Sequence, residues 1–109
     1  MKIDFSQELK TIEGDTLMRN RLQGDTVTQL PATLKWAAVE SLLTVDPDAK
    51  SSGEDKARRY DLAIKIQEAK APLDLQVEDV AFIKKLCDAH FPPLIVGQTR
   101  RLLEGGKDD

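Results

Sequence analysis

Apolar positions recur at helical spacing through most of the chain after Thr33, and at irregular, turn-broken spacing before it. Over residues 33–44, Trp36, Ala37, Val39, Leu42 and Leu43 make one broad apolar face, and Thr33 stands where an N-cap hydroxyl is needed, so a first helix is predicted there. Val45-Asp46-Pro47-Asp48 ends it, and the polar run onward to Gly53 reads as a loop inside the domain. Ser52, with Asp55 three residues on, is a near relative of the capping box and opens a second helix whose buried face is drawn from Ala57, Tyr60, Ala63, Ile64 and Ile66. Asp55 and Arg59 are spaced for an i,i+4 ion pair worth roughly 0.2–0.5 kcal/mol. Ala69-Lys70-Ala71-Pro72 terminates that helix. A third opens with Glu78 and Asp79, closes with Lys84 and Lys85, and carries Val80, Ile83, Leu86, Cys87 and His90 or Phe91 on one side. Phe91-Pro92 stops it. Pro93 suits the first turn of a fourth helix running from Leu94 to residue 103 or 104 and closed by Gly105-Gly106.

Residues 1–30 lack helical periodicity. They carry two turn signals, Glu13-Gly14-Asp15 and Gln23-Gly24-Asp25, flanked by Ile3, Phe5, Leu9, Ile12, Leu17, Leu22 and Val27. The reading is a β-hairpin with a third short strand, its apolar face laid against the helices, since an isolated hairpin is marginal in water. The predicted class is therefore mainly α within α+β: an N-terminal β-hairpin or small antiparallel sheet on about four short helices. One domain spans 1–109, with a hairpin region over 1–30, a helical region over 33–105 and a frayed tail over 106–109.

The length of 109 residues agrees with one core, and aromatics at 5% leave that core to Leu, Ile, Val and Ala. A net charge of −3 offers no long-range attraction for nucleic acid or an anionic membrane. Cys87 is the only cysteine, so no disulfide forms within the chain. No secretory signal and no membrane span is recognisable at the sequence level, and a reducing cytoplasm is the expected compartment.

Candidate chemistry is sparse. Cys87 and His90, at i,i+3, resemble half a metal site or an activated thiolate, but both fall on the apolar stripe with Ile83 and Leu86, which favours packing. The pairs Glu54/Asp55 and Glu78/Asp79 sit in first helical turns, where the dipole stabilises them. Asp46-Pro47-Asp48 starts like a calcium loop and then fails the pattern at Lys50. No glycine arrangement matches a nucleotide-binding loop. No catalytic residue, metal ligand or cofactor is assigned, and the reading is non-enzymatic. Gly97 lies inside a helical pattern at about 1 kcal/mol relative to Ala, which predicts close helix packing within the chain or, failing that, a partner contact. Three dibasic pairs, Arg58-Arg59, Lys84-Lys85 and Arg100-Arg101, would make one basic patch if their helices were neighbours, with Lys56 and Lys65 enlarging it.

The runs Ser52-Gly53-Glu54-Asp55-Lys56, Arg59-Tyr60-Asp61-Leu62-Ala63-Ile64-Lys65-Ile66, Leu73-Asp74-Leu75 with Glu78-Asp79-Val80 and Ile83-Lys84-Lys85, and Pro93-Leu94-Ile95-Val96-Gly97-Gln98 resemble small proteins of tailed bacteriophages and prophages. The resemblance covers about residues 34–104. It implies a bacterial host cell and no particular activity. The expected function is a non-enzymatic protein-interaction module, either a self-assembling accessory subunit or a binder of a host or viral protein. Its candidate contacts are the hairpin edge and Ile95, Val96, Gly97 and Leu103 of the last helix. The alternative is a nucleic-acid accessory protein using the dibasic pairs.

Overall fold

Thr33 does what its position demands. In a computed structural model, which describes residues 2–44 and 52–104, its side chain accepts the Trp36 N–H at 3.1 Å and starts α1 (Leu34–Leu43). The Ser52 hydroxyl likewise accepts the Asp55 N–H at 3.0 Å and starts α2 (Gly53–Glu68). Each satisfies one of the backbone donors that a helix start leaves open. α3 (Val77–His90) opens with Glu78 and Asp79 at the positive end of its dipole, and α4 (Pro93–Leu103) with a proline whose missing N–H has no partner to lose there. The loop expected after Thr44, the stop at Gly105-Gly106 and the tail fall on residues 45–51 and 105–109, outside the described residues.

Both turn signals are real turns: Gly14 has φ +96° and Gly24 φ +60°, left-handed conformations that a side chain disfavours. Gly24 joins β2 (Met18–Gln23) to β3 (Thr26–Pro31) in an antiparallel hairpin, registered from Met18 opposite Pro31 to Gln23 opposite Thr26. The third short strand, β1 (Lys2–Ile3), does not join that hairpin. It pairs antiparallel with β4 (Leu73–Asp74), because Ile3 and Phe5 are drawn into the helical core beside Leu75. The fold is α+β, with four helices and two small antiparallel sheets of two strands each among the described residues.

The main core is aliphatic, built on Leu34, Leu42, Ile66, Ile83 and Leu103; a smaller cluster of Leu9, Ala32 and Ala37 is flanked by Trp36, Phe91 and Ile95. The predicted faces need correction in three helices. In α1, Leu34, Ala38 and Ser41 are buried and Leu43 is exposed. In α2 the inward stripe is Arg59, Leu62, Ala63 and Ile66, while Tyr60 is 58% exposed and Ala57 and Ile64 also face solvent. Leu62, Ala63 and Ile66 enter the main core, and the same i, i+3, i+4, i+7 stripe begins at Arg59. Arg59 reaches across to the end of α1 rather than back to Asp55: Nε donates to the Leu42 carbonyl at 3.0 Å and NH2 donates to those of Ser41 (3.1 Å) and Thr44 (2.6 Å). In α3, Cys87 is buried as expected, and of the two alternatives at its end Phe91 packs half-buried against the core while His90 is exposed.

The hairpin rests on the helices at its base. Leu9 N–H donates to Ala32 O at 2.8 Å, Leu17 N–H to Leu9 O at 2.9 Å and Ala32 N–H to Leu17 O at 2.7 Å, and the Arg19 guanidinium lies 5.8 Å from the Trp36 ring centre. Its outer half does not follow the expectation of a covered face. Leu22 and Val27, opposite each other next to the turn, are 72% and 61% exposed, because strand alternation puts them on the face opposite Arg19 and Leu30, the face turned to the helices.

Candidate functional site: a groove between the N-terminal turn and the last helix

One side chain fixes α4 to the N-terminal segment. The Lys10 N–H donates to Gln98 Oε1 at 2.6 Å, and Gln98 Nε2 donates to the Lys10 carbonyl at 2.7 Å and to that of Leu94 at 2.9 Å. A primary amide so placed offers the backbone one donor and one acceptor, as a neighbouring strand would. The turn beyond Lys10 is closed by Thr11 N–H donating to Asp15 O at 2.7 Å and Gly14 N–H donating to Thr11 O at 3.0 Å.

Between this turn and α4 lies an open groove of about 550 Å³. Thr11, Ile12 and Gly14 line one side, and Pro93, Leu94, Gly97 and Arg101 the other. Ile12 is 90% exposed and Leu94 stands exposed across from it. Two branched apolar side chains therefore flank a trough bounded by polar groups.

Gly97 is the residue whose reading changes most. Close packing within the chain was the expected reason for a glycine in this helix, yet a Cβ built there meets nothing within 4 Å. The fold does not require glycine at this point, and the helix bears its cost of about 1 kcal/mol relative to alanine. The vacant space is the groove.

The other candidates on α4 are placed differently. Ile95 is half-buried against the smaller core, Val96 is half-buried, and Leu103 is wholly buried in the main core, so it belongs to no exposed surface. Ile12, Leu94 and Gln98 are the site residues that sequence reasoning missed. By sequence Ile12 belongs with the apolar positions of the hairpin region; its place directly before Glu13-Gly14 is the signal that it rides on a turn.

The six cations of the dibasic pairs have distinct surroundings. Arg58 donates to Asp79 Oδ1 at 2.9 Å and lies 4.6 Å from the Phe82 ring centre; Arg59 is buried. Lys84 donates to Glu104 Oε1 at 2.7 Å, and Arg100 grips Asp88 with Nε at 3.0 Å and NH2 at 2.6 Å. These bonds hold the Asp88 and Glu104 carboxyls below their ordinary range and raise Arg100. Lys85 is exposed, and Arg101 lines the groove. Cys87 and His90 part company: the Cys87 thiol donates to Ser41 Oγ at 3.5 Å and burial pushes its pKa up, whereas His90 sets its ring against the edge of Phe91 at 4.6 Å. Among the described residues there is no group of three or more His, Cys, Asp or Glu side chains that could hold a metal ion, and no helix is long and apolar enough to cross a membrane.

Fold and groove together define a small α+β domain that presents an open, apolar-flanked recess. No protein-family model, curated protein or solved structure matches the chain.

Proposed function

We propose that this chain is a non-enzymatic protein-interaction module that receives a segment of a partner protein in the groove between residues 11–14 and α4. The observation that carries the reading is Gly97: a helical glycine with no neighbour to accommodate, opening onto a recess edged by exposed Ile12 and Leu94. A bare stretch of helix backbone lets a partner's main chain or a bulky side chain approach more closely than any other residue would allow. The resemblance of residues 34–104 to small phage proteins supports a phage-encoded accessory subunit, or a binder of a host or viral protein, as the setting. A nucleic-acid role draws less support, because Arg59 is buried and Arg58, Lys84 and Arg100 each face a carboxylate.

The test is affinity capture from phage-infected bacterial cells, comparing wild type with Gly97→Leu and Ile12→Asp, and with Lys85→Ala as a control away from the groove. At least one protein retained by wild type and by the control is expected to be lost from both groove variants. An identical set retained by all four chains would contradict the reading.

A further inference from the structure

A two-stranded ribbon standing alone is marginal in water; it gains from a third strand or a covering element. β2 and β3 have six residues each, and all but Arg19 and Leu30 are exposed. Their ladder fixes which backbone groups point away. Ala32 N–H donates to Leu17 O and the two-residue turn sets Gln23 opposite Thr26, so antiparallel alternation makes 19–30, 21–28 and 23–26 the bonded pairs. The N–H and C=O groups of Val27 and Gln29 are thereby turned to the outer edge, where no strand pairs with them among the described residues.

That edge also lacks the usual protection. Natural edge strands carry charges or bulges that discourage pairing. β3 reads Thr-Val-Thr-Gln-Leu-Pro, without one charged residue, in a chain that is 32% charged. Its only guard is Pro31, at the end nearest the base.

We infer that β3 pairs antiparallel with the β3 of a second copy of this chain, about a two-fold axis at Thr28, making a four-stranded sheet ordered β2-β3-β3-β2. In this register Val27 of each copy faces Gln29 of the other, and each of these pairs exchanges both backbone hydrogen bonds. The two Thr28 residues meet as a non-bonded pair, a favourable cross-strand combination. Charge selects this edge over the other one. Pairing β2 with itself about Asn20 would set Arg19 opposite Arg21, like charge against like, whereas pairing through β3 leaves the arginine-bearing strands outermost, roughly 14 Å apart at three strand spacings. The joined sheet places the exposed Val27 and Leu22 of both copies on one face. The contact is far smaller than the ~1,600 Å² of a standard interface, so the dimer depends on concentration. It uses no groove residue and stands independently of the reading above.

Two measurements test it. In a non-bonded antiparallel pair the Cα atoms lie about 4.5 Å apart, within disulfide range, so Thr28→Cys is expected to form a covalent dimer under mild oxidation on the order of tenfold faster than Asn20→Cys on the other edge. Buried Cys87 is common to both chains and does not distinguish them. In sedimentation velocity, wild type is expected to self-associate with rising concentration and Gln29→Pro to stay monomeric. The Gln29 N–H points outward, so proline there removes an edge donor without breaking the β2–β3 ladder, as Pro31 already does at an equivalent position. Should Gln29→Pro fail to fold by circular dichroism, Gln29→Lys makes the same comparison through charge. A monomeric wild type with Thr28→Cys no faster than Asn20→Cys would overturn the inference, and so would a dimer that survives both Gln29 variants.

Discussion

The guanidinium of Arg59 closes the end of one helix from inside another. Helix C-termini leave carbonyls without intrahelical partners, and here three residues of that end, Ser41, Leu42 and Thr44, are served by one fork of donors that is itself buried. Arg59→Leu keeps the bulk and removes the donors, leaving buried acceptors unsatisfied; it is expected to lower stability by about 2–4 kcal/mol in chemical denaturation. Arg59→Lys should recover only part of that loss, since a single ammonium cannot reproduce the planar fork. No sequence pattern announced this role, because an arginine flanked by Arg58 and Tyr60 reads as surface until the neighbouring helix end is known. Cys87 was legible from its stripe. Wholly buried and with its thiol pKa raised, it should react with a thiol reagent orders of magnitude more slowly in the native protein than in denaturant, which a colorimetric thiol assay measures. His90 was misread with it: it keeps the spacing of the Ile83–Cys87 stripe, but as the last residue of α3 it stands exposed beyond the last buried position, Cys87.

Among the elements, starts were more legible than faces. Thr33, Ser52 and Pro93 are local signals, and each opens its helix where it was expected to. The pairing of β1 with β4 joins residues some seventy positions apart in the chain, and no local signal encodes such a contact. α3 and α4 are held by two ion pairs as well as by apolar packing, Asp88 with Arg100 and Lys84 with Glu104. The Asp88 carboxyl, ordinarily near 3.8, is lowered by Arg100, so any stability it contributes is present at neutral pH and is lost as the pH falls through its folded value. The difference in stability between wild type and Asp88→Asn should therefore be greatest near neutrality and close as the pH approaches about 2 in urea unfolding. A gap that widened in acid would mean the pair is not what separates the two proteins.

At the scale of the whole molecule, the α+β architecture was readable and the candidate site was only half so. Gly97 stood out as a misfit in a helical pattern, but its meaning depended on what lay opposite, and that is the turn at Thr11–Gly14, fixed through Lys10 and Gln98 from the far end of the chain. Ile12 and Leu94 come together only in that arrangement. The account therefore turns on whether the glycine serves the fold or the recess, and one unfolding experiment separates the two. With nothing beyond its own chain neighbours and helix backbone within 4 Å of the added methyl group, Gly97→Ala is expected to raise the free energy of unfolding by about 0.5–1 kcal/mol in chemical denaturation. A loss of stability would show that the chain itself needs glycine at this position, and would remove the ground for placing a partner there.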